Sequence, residues 1–314
     1  MSNASTLPYQ LRPNKSVDRE LFLYFLSRLE GYLPLQKYLY IGLGGPFLED
    51  FRLVHSRIGI TKMVCIESDE LVHKRQLFNR PISSIKCIYS SMEDYLEKTK
   101  FDKPIILWLD YTTFEHRMQI DCFCDQIISV PVGSILKITL NANPANFKKT
   151  NETGEPLHKH RLTELRKNLA EYVPSEFPLE YLVNHKFGLG LLQILKMAIS
   201  RSVEGYMDRK VICALTTHYA DGQPMVTATI FIAHPTDKYV EKIIKKWPFY
   251  SNFDKPHVLD LPVLSTLERL FIKSKKYPKR SLKYTFPEST LKKDPIQTYL
   301  KFYRVYPHFS RVDL

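Results

Sequence analysis

Apolar residues in this chain follow two rhythms. Over residues 16–31 they recur at helical spacing, with Leu21, Phe22, Phe25, Leu26 and Leu29 on one face. Ser16 stands as the N-cap, Asp18 and Glu20 fall in the first turn, and Gly31 ends the helix. Five short runs rich in β-branched and aromatic residues come next: Tyr38–Leu43, Met63–Ile66, Ile85–Tyr89, Ile105–Tyr111 and Ser134–Leu140. Mostly helical pattern separates them, which is the signature of repeated strand–helix units and a parallel sheet. Their near-continuous apolarity fits strands covered on both faces.

Beyond the fifth run the pattern changes. Residues 141–160 carry few large apolar side chains and include Asn, Pro and Gly, so they read as a loop or lid. Helical pattern returns from about Leu162 to Met207, and Gly188-Leu189-Gly190 opens a helix there rather than following a strand. Two more strands, Val211–Tyr219 and Met225–Ala233, flank Asp221-Gly222, a strong hairpin signal. The expected architecture is α/β: a Rossmann-like, mostly parallel seven-stranded sheet closed by an antiparallel hairpin, then a small, mainly helical C-terminal subdomain. The expected boundaries are 1–35 for an N-terminal arm and helix, 36–235 for the Rossmann-like domain and 236–314 for the appendage.

Composition narrows the class. With 314 residues, 44% hydrophobic and 25% charged, the chain is globular and large enough for a real core. Its apolar runs are strand-length, far below the roughly 20 residues of a membrane span, so no membrane contact is expected. Five cysteines, an odd number, with three inside strand-like runs, argue against a disulfide scaffold and place the protein in the cytoplasm. Cys122-Phe123-Cys124 lacks a second pair at ligand spacing, so no metal is expected. His158-Lys159-His160 reads as solvated loop.

The net charge of +12 is concentrated at one end. Residues 236–314 hold 17 Lys+Arg against 8 Asp+Glu and 14 aromatics, among them Trp247, Tyr250, Tyr277, Tyr284 and Tyr303. Cations interleaved with flat rings suit a nucleic acid, because the charges neutralise phosphates while the rings stack on bases. The alternative is a helical subdomain with a solvated lysine face and an aromatic core.

The chemistry gathers at the carboxyl ends of the predicted strands. The first ends in Tyr40-Ile41-Gly42-Leu43-Gly44-Gly45-Pro46, where Gly42, Gly44 and Gly45 would let a ligand approach the backbone and Pro46 would suit the first helical position. The second ends in Glu67, 22 residues after Gly45, where a carboxylate accepts hydrogen bonds from ribose hydroxyls in nucleoside-binding folds. Asp69 and Glu70 read as first-turn and capping residues of the next helix. After the third strand, Ser91 caps a helix with Glu93 or Asp94 in its first turn, beside the apolar Met92. The fourth strand ends in Asp110-Tyr111, an acid able to orient a nucleophile and a ring able to stack on an acceptor. Asn143-Pro144 follows the fifth strand and reads as a turn.

This order and these residues resemble the class I S-adenosylmethionine-dependent methyltransferases over roughly residues 35–235. Together with Phe47, Asp50, Phe51, His55 and Ile58-Gly59-Ile60 they resemble a little-characterised bacterial branch labelled O-methyltransferases from fold, some members of which are linked with antiviral defence loci. The resemblance implies S-adenosylmethionine as cofactor, with Gly42, Gly44 and Gly45 beside it, Glu67 on the ribose, and Ser91, Met92 and Glu93 around the adenine. It also implies that Asp110 and Tyr111 face the acceptor, and that the basic arm before the first helix brings Arg12 or Lys15 to the cofactor carboxylate or an anionic substrate. Two departures stand out: Tyr40 occupies the position usually held by an acid, and Asp110-Tyr111 lacks the prolines of amino-methylating nucleic acid enzymes. A second reading follows from them, a weakly active or inactive methyltransferase-fold module that binds nucleic acid or a protein partner from the same operon.

Overall fold

The computed structural model describes residues 12–147, 156–183, 185–274 and 295–307. Its strands are β1 (Leu39–Gly42), β2 (Met63–Glu67), β3 (Ile85–Tyr89), β4 (Ile105–Asp110), β5 (Ile135–Asn141), β6 (Lys210–Asp221), β7 (Gln223–Ala233) and β8 (His257–Leu259). They form one sheet in the order β3-β2-β1-β4-β5-β7-β6-β8. The first five are parallel, β7 runs antiparallel to both β5 and β6, and β6 and β7 turn at Gly222 with φ 89°. The chain order changes direction between β1 and β4, which opens a crevice at the carboxyl ends of β1, β2 and β4.

The eighth strand is the departure from the expected seven. Thr217 pairs with His257 and Tyr219 with Leu259, so a three-residue segment of the C-terminal region extends the main sheet. Trp247, Tyr299 and Phe302 are buried in the same core as the N-terminal helix, and Tyr250 and Tyr303 pack partly against it. Tyr277 and Tyr284 lie outside the described residues, as do positions 148–155 of the expected loop.

Helices cover both faces: α1 (Pro13–Leu29), α2 (Glu49–Ile58), α3 (Glu70–Asn79), α4 (Met92–Lys98), α5 (His116–Ser129), α6 (Leu157–Leu169), α7 (Phe187–Ser202), α8 (Lys238–Lys245), α9 (Thr266–Lys273) and α10 (Pro295–Phe302). The pleat sends alternate strand residues to opposite cores. Tyr40, Cys65 and Trp108 join the core with α1 and α2, whereas Ile41, Val64 and Leu107 join the one with α5 and α7.

The first helix corrects the sequence expectation. It begins at Pro13, whose fixed φ suits the first turn, so Ser16 lies inside it and not at its cap. The apolar face is buried as expected, but Asn14, Lys15, Asp18 and Arg19 are buried as well. Asp18 is no solvated first-turn acid. Its Oδ2 accepts from Lys137 Nζ of β5 at 2.6 Å, with both side chains wholly buried, and its Oδ1 accepts from the hydroxyls of Thr217 and Thr227. The Lys137 ammonium also lies 3.9 Å from the centroid of the Trp108 ring. Arg19 pairs with Asp50 of α2. Asp221, at the hairpin tip, accepts from the backbone N–H groups of Asn14 and Lys15, an anion at the positive end of α1.

Candidate functional site

The crevice is a cleft of about 590 Å³. One side is the turn after β1 with the start of α3, the other is the end of β4 with the loop into α5, and the start of α4 lies between. Gly45, Glu67, Ser91, Met92, Glu93, Asp110 and Tyr111 all line it, drawn from four separate strand ends. Sheet topology does the gathering, since the carboxyl ends of β1 to β4 and the segments that follow them open on the same rim.

The three glycines have different jobs. Gly45 lines the cleft with φ 51°, a left-handed conformation that any Cβ would strain. A Cβ at Gly44 would sit 2.7 Å from Leu48 Cδ2 and 2.8 Å from Cys65 Sγ, so that glycine exists for packing. One at Gly42 would meet the Tyr40 hydroxyl at 3.3 Å and the Trp108 carbonyl at 3.4 Å. Neither Gly42 nor Gly44 is among the described residues lining the cleft. Pro46 does not start the helix: residues 45–48 form a turn, and α2 begins at Glu49 behind Leu48, itself left-handed at φ 52°.

Glu67 is held from two sides. Its Oε1 accepts the backbone N–H of Asp69 at 2.9 Å, and Gln76 Nε2 lies 3.4 Å from Oε2. The same Gln76 amide donates to the Gly45 carbonyl at 3.1 Å, so one buried α3 side chain braces both the glycine turn and the acid. Asn79 donates in parallel to the Pro46 carbonyl at 2.8 Å. Sequence reading missed both residues, because a polar side chain on an amphipathic helix carries no mark of the backbone it will reach. Partial burial raises the carboxyl pKa of Glu67, and a carboxylate offers about four acceptor positions, so capacity remains for further donors.

At the third strand end the capping expectation holds. The Ser91 hydroxyl oxygen accepts the Asp94 backbone N–H at 3.1 Å and its O–H donates to Asp94 Oδ2 at 2.7 Å, so Ser91 caps α4 while still lining the cleft. Asp69 caps α3 in the same manner and Glu70 pairs with Lys74. Met92 is buried, with an apolar surface toward the cleft. Glu93 accepts the Tyr111 hydroxyl at 2.8 Å, closing a bridge from α4 to β4. Burial drives the Tyr111 pKa upward, and the neighbouring Cys122 and Glu93 add to this, so the phenol stays protonated and donates.

Asp110 is paired through Oδ2, while its buried Oδ1 has no hydrogen-bond partner among the described residues. Burial pushes its pKa up, but the Lys15 ammonium 2.8 Å from Oδ2 outweighs it and leaves the carboxyl below its usual value. Lys15 is therefore committed to a buried ion pair, and neither it nor Arg12 is among the described residues lining the cleft. Residues the sequence did not single out complete the walls: Arg75, whose guanidinium sits 5.1 Å from the Phe47 ring centroid, and Thr112, Thr113, Glu115 and Met118.

The lining of this cleft suits a nucleoside. An acid with spare acceptor capacity, a buried thioether wall and a left-handed glycine turn are the parts an adenosine needs. Among the described residues no three His, Cys, Asp or Glu are grouped to hold a metal ion, and no helix is long and apolar enough to cross a membrane.

The sequence matches a family model described as "Putative O-methyltransferase" over residues 7–314. No curated protein matches it. Among solved structures, an rRNA methylase from Streptococcus thermophilus is similar at 11% identity, covering 67% of this chain and 95% of that one, with a TM-score of 0.37. Trm1 from Pyrococcus horikoshii with S-adenosyl-L-methionine is similar at 13% identity over 71% and 56% of the two chains, TM-score 0.47. An O-methyltransferase from Bacillus cereus in complex with SAH is similar at 9% identity over 73% and 84%, TM-score 0.37. S-Adenosylmethionine is the cofactor of this fold class, and the cleft residues fit it.

Proposed function

Because the chain belongs to the O-methyltransferase family whose model spans residues 7–314, we propose that the cleft is the cofactor site of an S-adenosylmethionine-dependent O-methyltransferase. One observation carries the reading: Glu67, braced by Asp69 and Gln76, presents an under-used carboxylate on the same cleft as Gly45 and Met92. Bound there, the cofactor would supply a methyl group already activated by its sulfonium. The protein's part is then positioning. Glu67 would hold the ribose, Met92 would cover the adenine, and Ser91 and Glu93 would border it. Asp110 and Tyr111 would form the acceptor-side wall, stiffened by Lys15 and Glu93 so that neither side chain swings away.

Two measurements on the purified protein test this. S-Adenosylhomocysteine should bind, as read by calorimetry, and labelled methyl should pass to an oxygen of an added acceptor. Absence of binding at millimolar ligand rejects the reading outright. Binding without transfer to small molecules, RNA, DNA or protein leaves a cofactor-binding module in place of an enzyme.

A second reading has its own observation. On α8 and at its C-terminal cap, Lys238, Lys242 and Lys246 recur every four residues, all exposed, beside Tyr239, which is 63% exposed. This basic stripe supports polyanion contact through residues 236–314. Nucleic acid binding should then fall steeply with added salt, and Lys238→Gln with Lys242→Gln should lower the log–log slope by about 2. Salt-independent binding contradicts it.

A further inference from the structure

Beside the cofactor cleft lies a second cavity of about 330 Å³, lined by Phe114, His116, Phe147 and Leu165 among others. Glu115 and Met118 line both, so the two spaces adjoin at the start of α5. A cavity of about 150 Å³ accommodates a benzene ring, so this one has room for one or two fused rings.

Phe114, His116 and Phe147 form an aromatic wall, with Met118, Leu165 and Leu169 as its aliphatic counterpart. Phe114 and Phe147 meet at 5.0 Å between centroids and 85°, and Phe114 lies 4.2 Å from the His116 ring. Such faces favour a planar ring over an aliphatic chain of equal volume.

The polar group that would orient a guest is His116, 5% exposed. Its Nε2 is 2.7 Å from the Asn141 carbonyl, which can only accept, so Nε2 carries the hydrogen. Burial depresses the imidazole pKa to about 4, and the ring is neutral at pH 7. Nδ1 therefore presents a lone pair, and among the described residues nothing donates to it. The ring is locked as well: Asn141, at the end of β5, also donates its side-chain amide to the Thr112 carbonyl. A neutral nitrogen acceptor, on a ring fixed in place and lining the cavity, matches a hydroxyl donor on a flat ring.

We propose that this second cavity is the acceptor subsite, that it takes a small planar aromatic compound bearing a hydroxyl group, and that His116 Nδ1 accepts the hydrogen bond from that hydroxyl. The proposal rests on the methyltransferase reading for the word acceptor; the binding site itself does not.

The test uses the whole protein with 2-naphthol and 2-methoxynaphthalene, which differ in the one hydrogen that Nδ1 would receive, with and without S-adenosylhomocysteine. 2-Naphthol should bind at least tenfold more tightly by fluorescence titration, and it alone should shift the ¹⁵N resonance of the His116 Nδ1. His116→Phe should erase the preference, and Asn168→Trp, at the exposed rim, should weaken both ligands. Equal affinities, a preference that survives His116→Phe, or no binding of either compound overturns the proposal. If His116→Phe does not fold, the Nδ1 resonance in the unmodified protein decides alone. Loss of S-adenosylhomocysteine binding with the naphthol pattern intact would reject the cofactor reading while leaving the cavity's assignment standing.

Discussion

Acids buried behind the crevice and an acid on its open side behave in opposite ways. Under α1, Asp18, Asp50 and Asp110 each face a cation of that helix or of β5, and the pairs with Lys137 and Lys15 are sealed from solvent or nearly so. At the far side Glu67 receives the backbone N–H of Asp69 and a long contact from Gln76, and borders open space. Buried charge costs free energy unless it is paired, so a carboxylate sealed against its cation and two hydroxyls, as Asp18 is, has little left to offer a ligand. A half-satisfied carboxylate on a cleft does. The difference separates scaffold from site more reliably than residue type, since all of them are carboxylates.

The largest expected effect comes from breaking the sealed set. Lys137→Met strands Asp18 with only two threonine hydroxyls and should cost about 3–5 kcal/mol of stability in urea unfolding, while Lys137→Met combined with Asp18→Leu should recover most of it. A pair that acted as a ligand site would instead show its loss in cofactor affinity with stability intact.

Acid should act next. His116, His218 and His257 are each depressed to about 4, burial being the main cause. The unfolded chain protonates them near pH 6.5 and the folded chain only near pH 4, so the unfolded state binds more protons in between. Stability should therefore fall as pH drops through that window, by on the order of 3 kcal/mol per ring at its lower end. A urea midpoint unchanged between pH 7 and pH 4.5 would contradict the burial of these rings.

Lys15→Met should cost less, about 2–3 kcal/mol, because it removes a charge-assisted hydrogen bond from Asp110. Without the ammonium, burial governs and the carboxyl titrates upward. A rise in the Asp110 pKa read by ¹³C NMR confirms this, and an unchanged value refutes it.

Much of the architecture was legible because strands carry their own pattern. The five strand runs, the Asp221-Gly222 turn and the strand-end placement of Glu67 and Asp110 all follow from local alternation of apolar segments and turn residues, although β3, at the sheet edge, is covered less than its apolarity suggests. What escaped depends on partners distant in sequence. Asp18 looked like a first-turn acid because its cation is Lys137, 119 positions away on another element. Ser16 has the residue type of a cap, but Pro13, with its fixed φ, starts the helix three positions earlier. β8 has three residues, too few for any period to show. Gly44 resembled a ligand contact, yet its neighbours are Leu48 and Cys65, and only the fold reveals that crowding.

The comparison of sealed and open acids reduces to one titration. Calorimetry of S-adenosylhomocysteine into the native protein and into Glu67→Gln, a substitution that keeps shape and removes charge, should show affinity at least tenfold weaker in the variant, about 1.4 kcal/mol, with unchanged stability. Equal affinity in the two proteins would mean that Glu67 does not hold the ribose, and the assignment of this cleft to the cofactor would fall with it.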